Sequence, residues 1–127
     1  MYVLDSSALI EIIEGHSSGE KVIGIVGDAP LVTTSICEHE VLAGALSEKQ
    51  AFVLDGLFSS MRILEHDARA ARLGASIEQE LRKKGTMINK LDILIAAICV
   101  VHNAELVTFD KDFSKIKNLR DLRVRII

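Results

Sequence analysis

Short β-branched runs, closed by acids or hydroxyl residues, alternate with helical repeats along the chain. This alternation constrains the fold more than any other feature, because strands separated by helices pair in parallel. Tyr2-Val3-Leu4 reads as a first strand, ended by Asp5-Ser6-Ser7, which can cap a helix. Ala8–Glu14 and Gly19–Gly27 read as helices, and Leu31–Thr34, after the single proline Pro30, as a second strand. Ile36–Leu46 and Glu48–Phe58 read as helices, and Met61–Leu64 as a third strand. Ala70, Leu73, Gly74, Ile77 and Leu81 recur at helical spacing, and Gly85 ends that helix. Asn89 can cap a helix over Lys90–His102, with Leu106–Thr108 and Val124–Ile127 as the last strands. The expectation is one α/β domain over residues 1–127 with a largely parallel sheet, which binds ligands beyond the carboxyl ends of its strands.

Composition narrows the functional classes. A hydrophobic content of 49% excludes a disordered tail. The longest apolar run, Ile93–Val101, is nine residues, against about 20 needed to cross a membrane. Asp5 interrupts the apolar start, so no secretory signal is expected. Cys37 and Cys99 lack metal-ligand spacing and lie in apolar stretches. They read as buried thiols in a reducing, cytoplasmic compartment. The net charge of −3 argues against a general nucleic-acid binder. The charge is uneven, however. Residues 1–60 carry two basic and nine acidic side chains, whereas residues 61–127 carry 13 basic and nine acidic ones. A localised basic surface in the second half, or two solvated helix faces, would both give this pattern.

Four acids occupy positions where surface charge is not expected. Asp5 ends the first strand, where capping the next helix is the plain alternative. Glu40 falls about 40° from Ile36 on a helical wheel, on the same apolar face as Cys37, Ala43 and Gly44. A glutamate there needs a counter-charge, either a buried salt bridge or a cation. Asp92 is the only non-apolar residue from Leu91 to Val101, in a helix apolar all round. It also lies three residues after Asn89, where a carboxylate favours a helix N-terminus. Asp110 closes a strand after Thr108, as a turn residue or cap could. In a parallel sheet these four acids share one edge. Their mutual repulsion would raise their pKa values, and a divalent cation would remove that cost. An all-oxygen set without paired histidines suits Mg2+ or Mn2+, and phosphate-ester chemistry.

The same residues carry a family resemblance. The stretches YVLDSSALIE, TTSICEHEVLAGA and LDILIAAICVVHNAELVTFDKDF resemble, in order, the motifs of the PIN-domain family. Within that family the chain is similar to the small VapC-type ribonuclease toxins. The resemblance implies an α/β/α sandwich around a parallel five-stranded sheet. It implies Mg2+- or Mn2+-dependent RNA cleavage, leaving a 5′-phosphate and a 3′-hydroxyl. It also implies a homodimer and an inhibitory antitoxin protein, for which an apolar groove near the acidic cleft is expected. By this resemblance Asp5, Glu40, Asp92 and Asp110 are the catalytic and metal-binding acids. Thr108 positions a ligand or water, and Ser6 or Ser7 supports Asp5. Phe109 departs from the family pattern, which often has a polar or basic residue there.

RNA would meet a basic surface drawn from Arg69, Arg72, Arg82, Lys83, Lys84, Lys90 and Lys111. With one tyrosine and four phenylalanines, stacking platforms are scarce. Two other classes use similar features. A catalytically inactive PIN-like binding module would keep the fold and lose acids, whereas all four acids are present. A receiver-like phosphoacceptor domain would need an aspartate ending the central strand and a lysine ending the last. Met61–Leu64, taken as that central strand, is followed by Glu65.

Overall fold

The computed structural model describes every residue, Met1–Ile127. Five strands alternate with six helices: β1 (Tyr2–Leu4), α1 (Ser6–Ile13), α2 (Ser17–Val26), β2 (Val32–Thr34), α3 (Ser35–Ala43), α4 (Glu48–Ser59), β3 (Arg62–Leu64), α5 (Ala68–Lys84), α6 (Lys90–Val101), β4 (Glu105–Thr108) and β5 (Arg123–Ile126). All paired strands are parallel, as strand–helix alternation dictates. The element pattern is the one expected. Two 3₁₀ turns, Lys111–Lys115 and Leu119–Asp121, were not foreseen.

The sheet is not one continuous ladder. Backbone pairing gives a β1-β4-β5 piece and a separate β2-β3 piece. β2 lies alongside β1, so the strands run β3, β2, β1, β4, β5 across the molecule. At the seam the Thr33 hydroxyl donates to the Leu4 carbonyl at 2.7 Å, a side chain acting where a ladder bond would lie. Strands of three or four residues leave little length for a further ladder. β1 is therefore the central strand, and β3 is an edge. The aspartate that follows the central strand is Asp5, not a residue of the Met61–Leu64 region.

The apolar run of α6 explains the layering. Ile93 and the unbroken stretch Ile95–Cys99 are buried. Helices α3 and α5 and strand β4 all pack against this helix. Gly74 of α5 sits at the closest approach, where an added Cβ would lie 3.5 Å from the Ala97 side chain. The helix caps follow local chemistry. Asp67 accepts from the Ala70 amide at the start of α5, Asn89 accepts from the Leu91 amide at the start of α6, and Gly85 ends α5 in the left-handed region at φ 68°. On the other side, α1 packs on α2 through Gly19, which touches the α1 backbone. No helix is long and apolar enough to cross a membrane.

A Cβ at Gly19 would meet the Glu11 carbonyl oxygen at 2.6 Å and carbon at 2.9 Å, both backbone atoms that cannot swing away. Gly19→Ala is therefore expected to destabilise the protein by about 1–3 kcal/mol, despite alanine's better helix propensity. Urea denaturation of the two proteins measures this, and an unchanged midpoint would refute the close approach.

Candidate active site

The site forms where the central strands end. Asp5 follows β1, and its amide donates to the Val107 carbonyl of β4 at 3.0 Å, fixing its backbone. It occupies the capping position of α1, yet its side chain makes no capping bond. The carboxylate turns inward and is 3% exposed. The helix-cap alternative for Asp5 therefore does not describe this side chain.

A buried carboxylate has to be hydrogen-bonded, and Asp5 is. Its Oδ2 accepts from the Thr108 hydroxyl at 2.6 Å and from the Ser7 hydroxyl at 3.1 Å. Each hydroxyl is itself aimed by a backbone amide. The Asp110 amide donates to Thr108 Oγ1 at 2.9 Å, and the Phe109 amide donates to Ser7 Oγ at 3.0 Å. The start of α1 and the end of β4 are thus joined through one carboxylate oxygen. Ser7, rather than Ser6, holds Asp5. Helical geometry places Ser7 toward β4, whereas the Ser6 hydroxyl lies toward Glu40. Phe109 enters the network through its main chain, so its apolar side chain leaves this role intact.

The other acids arrive from three elements. Glu40 projects from α3, half-buried, with no ion pair. Its Oε1 has no exposed surface and no hydrogen-bond partner. The buried salt bridge, open on sequence grounds, is absent. The buried side of α3 is Cys37 and Val41, not Ala43 and Gly44, which are exposed because the helix ends at Ala43. Asp92 lies in the first turn of α6, where Asn89 already provides the cap. Asp110 accepts from the Asp112 amide through Oδ1 at 2.9 Å, so it is both a cap and a member of the cluster.

Electrostatics bind these positions together. Burial, then the charges of Asp110, Asp5, Glu40 and Asp112, push the Asp92 carboxyl up to about 7. Burial and then the Asp5 charge raise Glu40, against the Ser6 hydroxyl and the His39 charge. The charges of Asp5, Glu40, Asp110 and Asp112 all bear on Asp92, and that of Asp5 bears on Glu40. An unpartnered buried oxygen and a carboxylate held near neutrality fit a cation-binding site.

One neighbour was missed. The Cys37 thiol is fully buried and points at Asp5 Oδ1, 3.7 Å away. Burial and the Asp5 charge push it up to about 12. Ligand atoms of Asp5, Cys37 and Glu40 lie within 4.8 Å of one another. The signal was present in the sequence, since Cys37 precedes Glu40 by three residues on the same helix face.

The basic residues are less free than their number suggests. Arg82 pairs with Glu78 at 2.8 Å, Lys84 with Glu80 at 3.1 Å, and Lys90 with Glu78 at 3.8 Å. Arg69 donates to the Val101 carbonyl at 3.1 Å. Lys83 and Lys111 are exposed and form no ion pair.

The raised Asp92 carboxyl gives a pH prediction for metal-free protein. A carboxyl near 3.9 unfolded and about 7 folded binds its proton more tightly in the folded state. Its contribution is present below pH 4 and is lost as pH rises through 7. After discounting for solvent screening, the loss is about 1–2 kcal/mol. Asp92→Asn should therefore melt higher than wild type at pH 8 by a few degrees and show no such gain at pH 4. Equal differences at both pH values would refute the shift.

Residues 2–119 match the family model described as PIN domain. The VapC ribonuclease Mb1587 of Mycobacterium bovis is 28% identical over 130 aligned positions, covering 97% of this chain and 96% of that protein. Among solved structures, VapBC2 from Rickettsia felis bound to a DNA fragment from its promoter superposes with a TM-score of 0.82 at 24% identity, covering 99% and 98% of the two chains. A toxin–antitoxin complex from Klebsiella pneumoniae gives 0.79 at 22% identity, covering 98% and 96%. With the motif acids gathered at one sheet edge and the family model spanning nearly its full length, this chain belongs to the PIN-domain family.

Proposed function

We propose that this chain is a metal-dependent endoribonuclease that hydrolyses RNA phosphodiester bonds, the toxin of a toxin–antitoxin pair. The observation that supports the reading is the placement of Asp5 and Glu40, whose ligand atoms lie within 4.8 Å of each other, beside Asp92, which burial and then the charges of Asp110, Asp5 and Glu40 push up to about 7. Its similarity to a VapC ribonuclease supports the same conclusion. These four acids would hold Mg2+ or Mn2+. The bound ion would neutralise the cluster, polarise the phosphodiester and acidify a water.

The chain's own residues set the geometry. Thr108 and Ser7 hold Asp5 Oδ2 from two sides, so this carboxylate stays fixed as charge changes beside it. Glu40 offers an oxygen with no competing donor. Asp110 keeps one oxygen on the Asp112 amide, which orients the carboxylate. No histidine enters the network, and none is assigned as a general base.

RNA would approach along α5 and the loops flanking the acids. Lys90 lies two residues before Asp92, and Lys111 directly follows Asp110. Lys83 and Lys111 carry unneutralised charge, whereas Arg82, Lys84 and Lys90 are already paired. The inhibitory partner would use an apolar groove of about 370 Å³ lined by Ile10, Ile13, Val41, Val53 and Leu54, with Glu40 at its wall. An antitoxin segment seated there reaches the acidic site directly. The homodimer and a cytoplasmic location belong to the same proposal, the latter supported by two free buried cysteines.

Purified protein is expected to cut a total-RNA pool with Mg2+ or Mn2+ and to stop when the metal is chelated. Asp92→Asn should lower the rate at least about a hundredfold, as loss of charge stabilisation does elsewhere. Folded, antitoxin-free protein that binds the metal but cuts nothing would favour an inactive binding module. A second expectation concerns salt. Lys83→Ala with Lys111→Ala should reduce the slope of log affinity against log salt by about 1–2, measured on the uncleaving Asp92→Asn background. An unchanged slope would remove these lysines from the RNA path.

A further inference from the structure

Apolar surface that the core does not use leads into the helix that carries Asp92. Met87, in the loop before α6, and Leu91, in its first turn, are 40% and 38% exposed. We propose that these two side chains form an apolar lip on which an unpaired base of the RNA packs, next to the phosphate to be cut. The inference rests on the ribonuclease reading above, and it adds the residues that hold the base.

Both positions are fixed by their neighbours. Leu91 is the only exposed apolar residue of α6, whereas Ile93 and Ile95–Cys99 are buried. The Asn89 side chain accepts from the Leu91 amide at 2.9 Å, which sets the residue in the first turn. The loop before it is tied as well. Gly85 turns through the left-handed region, the Thr86 amide donates to the Leu81 carbonyl at 3.0 Å, and half-buried Ile88 packs on the core. Met87 is left exposed between these anchors.

The order of side chains around that turn supplies the chemistry. Successive helical residues stand about 100° apart. Lys90 stands on the α5 side, 3.8 Å from Glu78, and Asp92 stands about 200° further round, under the charges of the other acids. Leu91 therefore separates a cation from the acidic cluster. An RNA strand repeats a matching order, with an apolar base face carried between consecutive charged phosphates. One phosphate at the acids and the next near Lys90 set the intervening base over Leu91, and Met87 widens that surface. Leu91 has no donor or acceptor for a base edge, and Met87 has only a weak sulfur acceptor. The lip therefore holds a base by its face and does not read its identity. A paired base has both faces stacked, so the base that packs here is unpaired.

Binding of two strands to the whole, antitoxin-free Asp92→Asn protein in Mg2+ tests this. One is a short single-stranded RNA, and the other is an abasic ribose-phosphate strand of the same length and charge. The RNA should bind about tenfold tighter than the abasic strand. Adding Met87→Ser and Leu91→Ser should weaken RNA binding about tenfold and leave the abasic strand within about twofold, so that the preference disappears. The salt slope should stay the same, because no phosphate contact is removed. Leu91→Ser alone serves if the combined variant misfolds, and far-ultraviolet dichroism checks both. RNA bound as tightly by the variant as by its parent would overturn the lip while leaving the RNA reading standing. A variant that keeps the preference for RNA but turns a dimer into a monomer in sedimentation would also overturn it and assign this surface to a contact between copies. Binding of neither strand, with no cutting by wild type, would overturn the proposal together with the ribonuclease reading beneath it.

Discussion

A single buried carboxylate organises this molecule. Asp5 sits after the central strand with almost no exposure, and a charge there is costly unless every oxygen has a partner. The fold answers with two hydroxyls on one oxygen and a thiol on the other. Those hydroxyls are aimed by amides from the turn after β4. The network therefore fixes more than one side chain. It ties the N-terminal strand to a segment a hundred residues later and sets where Asp110 begins its turn.

The scaffold around this point is built for approach, not for extent. The strands are short, and the sheet divides between β1 and β2, where Thr33 reaches across to the Leu4 carbonyl. Cohesion comes instead from helix packing. The apolar body of α6, Ile93–Val101, packs against α3, α5 and β4, and Gly74 lets α5 lie against Ala97. Burial of α6 draws its first turn inward, and with it Asp92. The same packing that stabilises the core thus creates the repulsion at the site. An isolated helix of this sequence would carry Asp92 as an ordinary solvated acid.

Much of this was legible because it depends on local periodicity. Strand runs, the Asn89 and Gly85 caps and the apolar faces of α5 and α6 are properties of spacing alone. The ion pairs Glu78–Arg82 and Glu80–Lys84 were also readable, since both are four residues apart on one helix. They temper the basic surface inferred from composition. The 3₁₀ turns between β4 and β5 were not readable. Asn118, Arg120 and Asp121 adopt positive φ there, and Arg120 is held by Glu80 and Ser76 of α5. Contacts from a distant helix, not local propensity, define that segment.

The sequence by itself determined the order of strands and helices, and hence that Asp5 and Asp110 end parallel strands on the same side of the sheet. These follow from chain direction and side-chain period, which need no partner. Only the tertiary structure decided that Ser7 rather than Ser6 holds Asp5, that β1 is central, and that Cys37 faces the carboxylates. The reason is physical. Hydrogen bonds and ligand sets depend on distances between elements, and those distances are fixed when the helices pack.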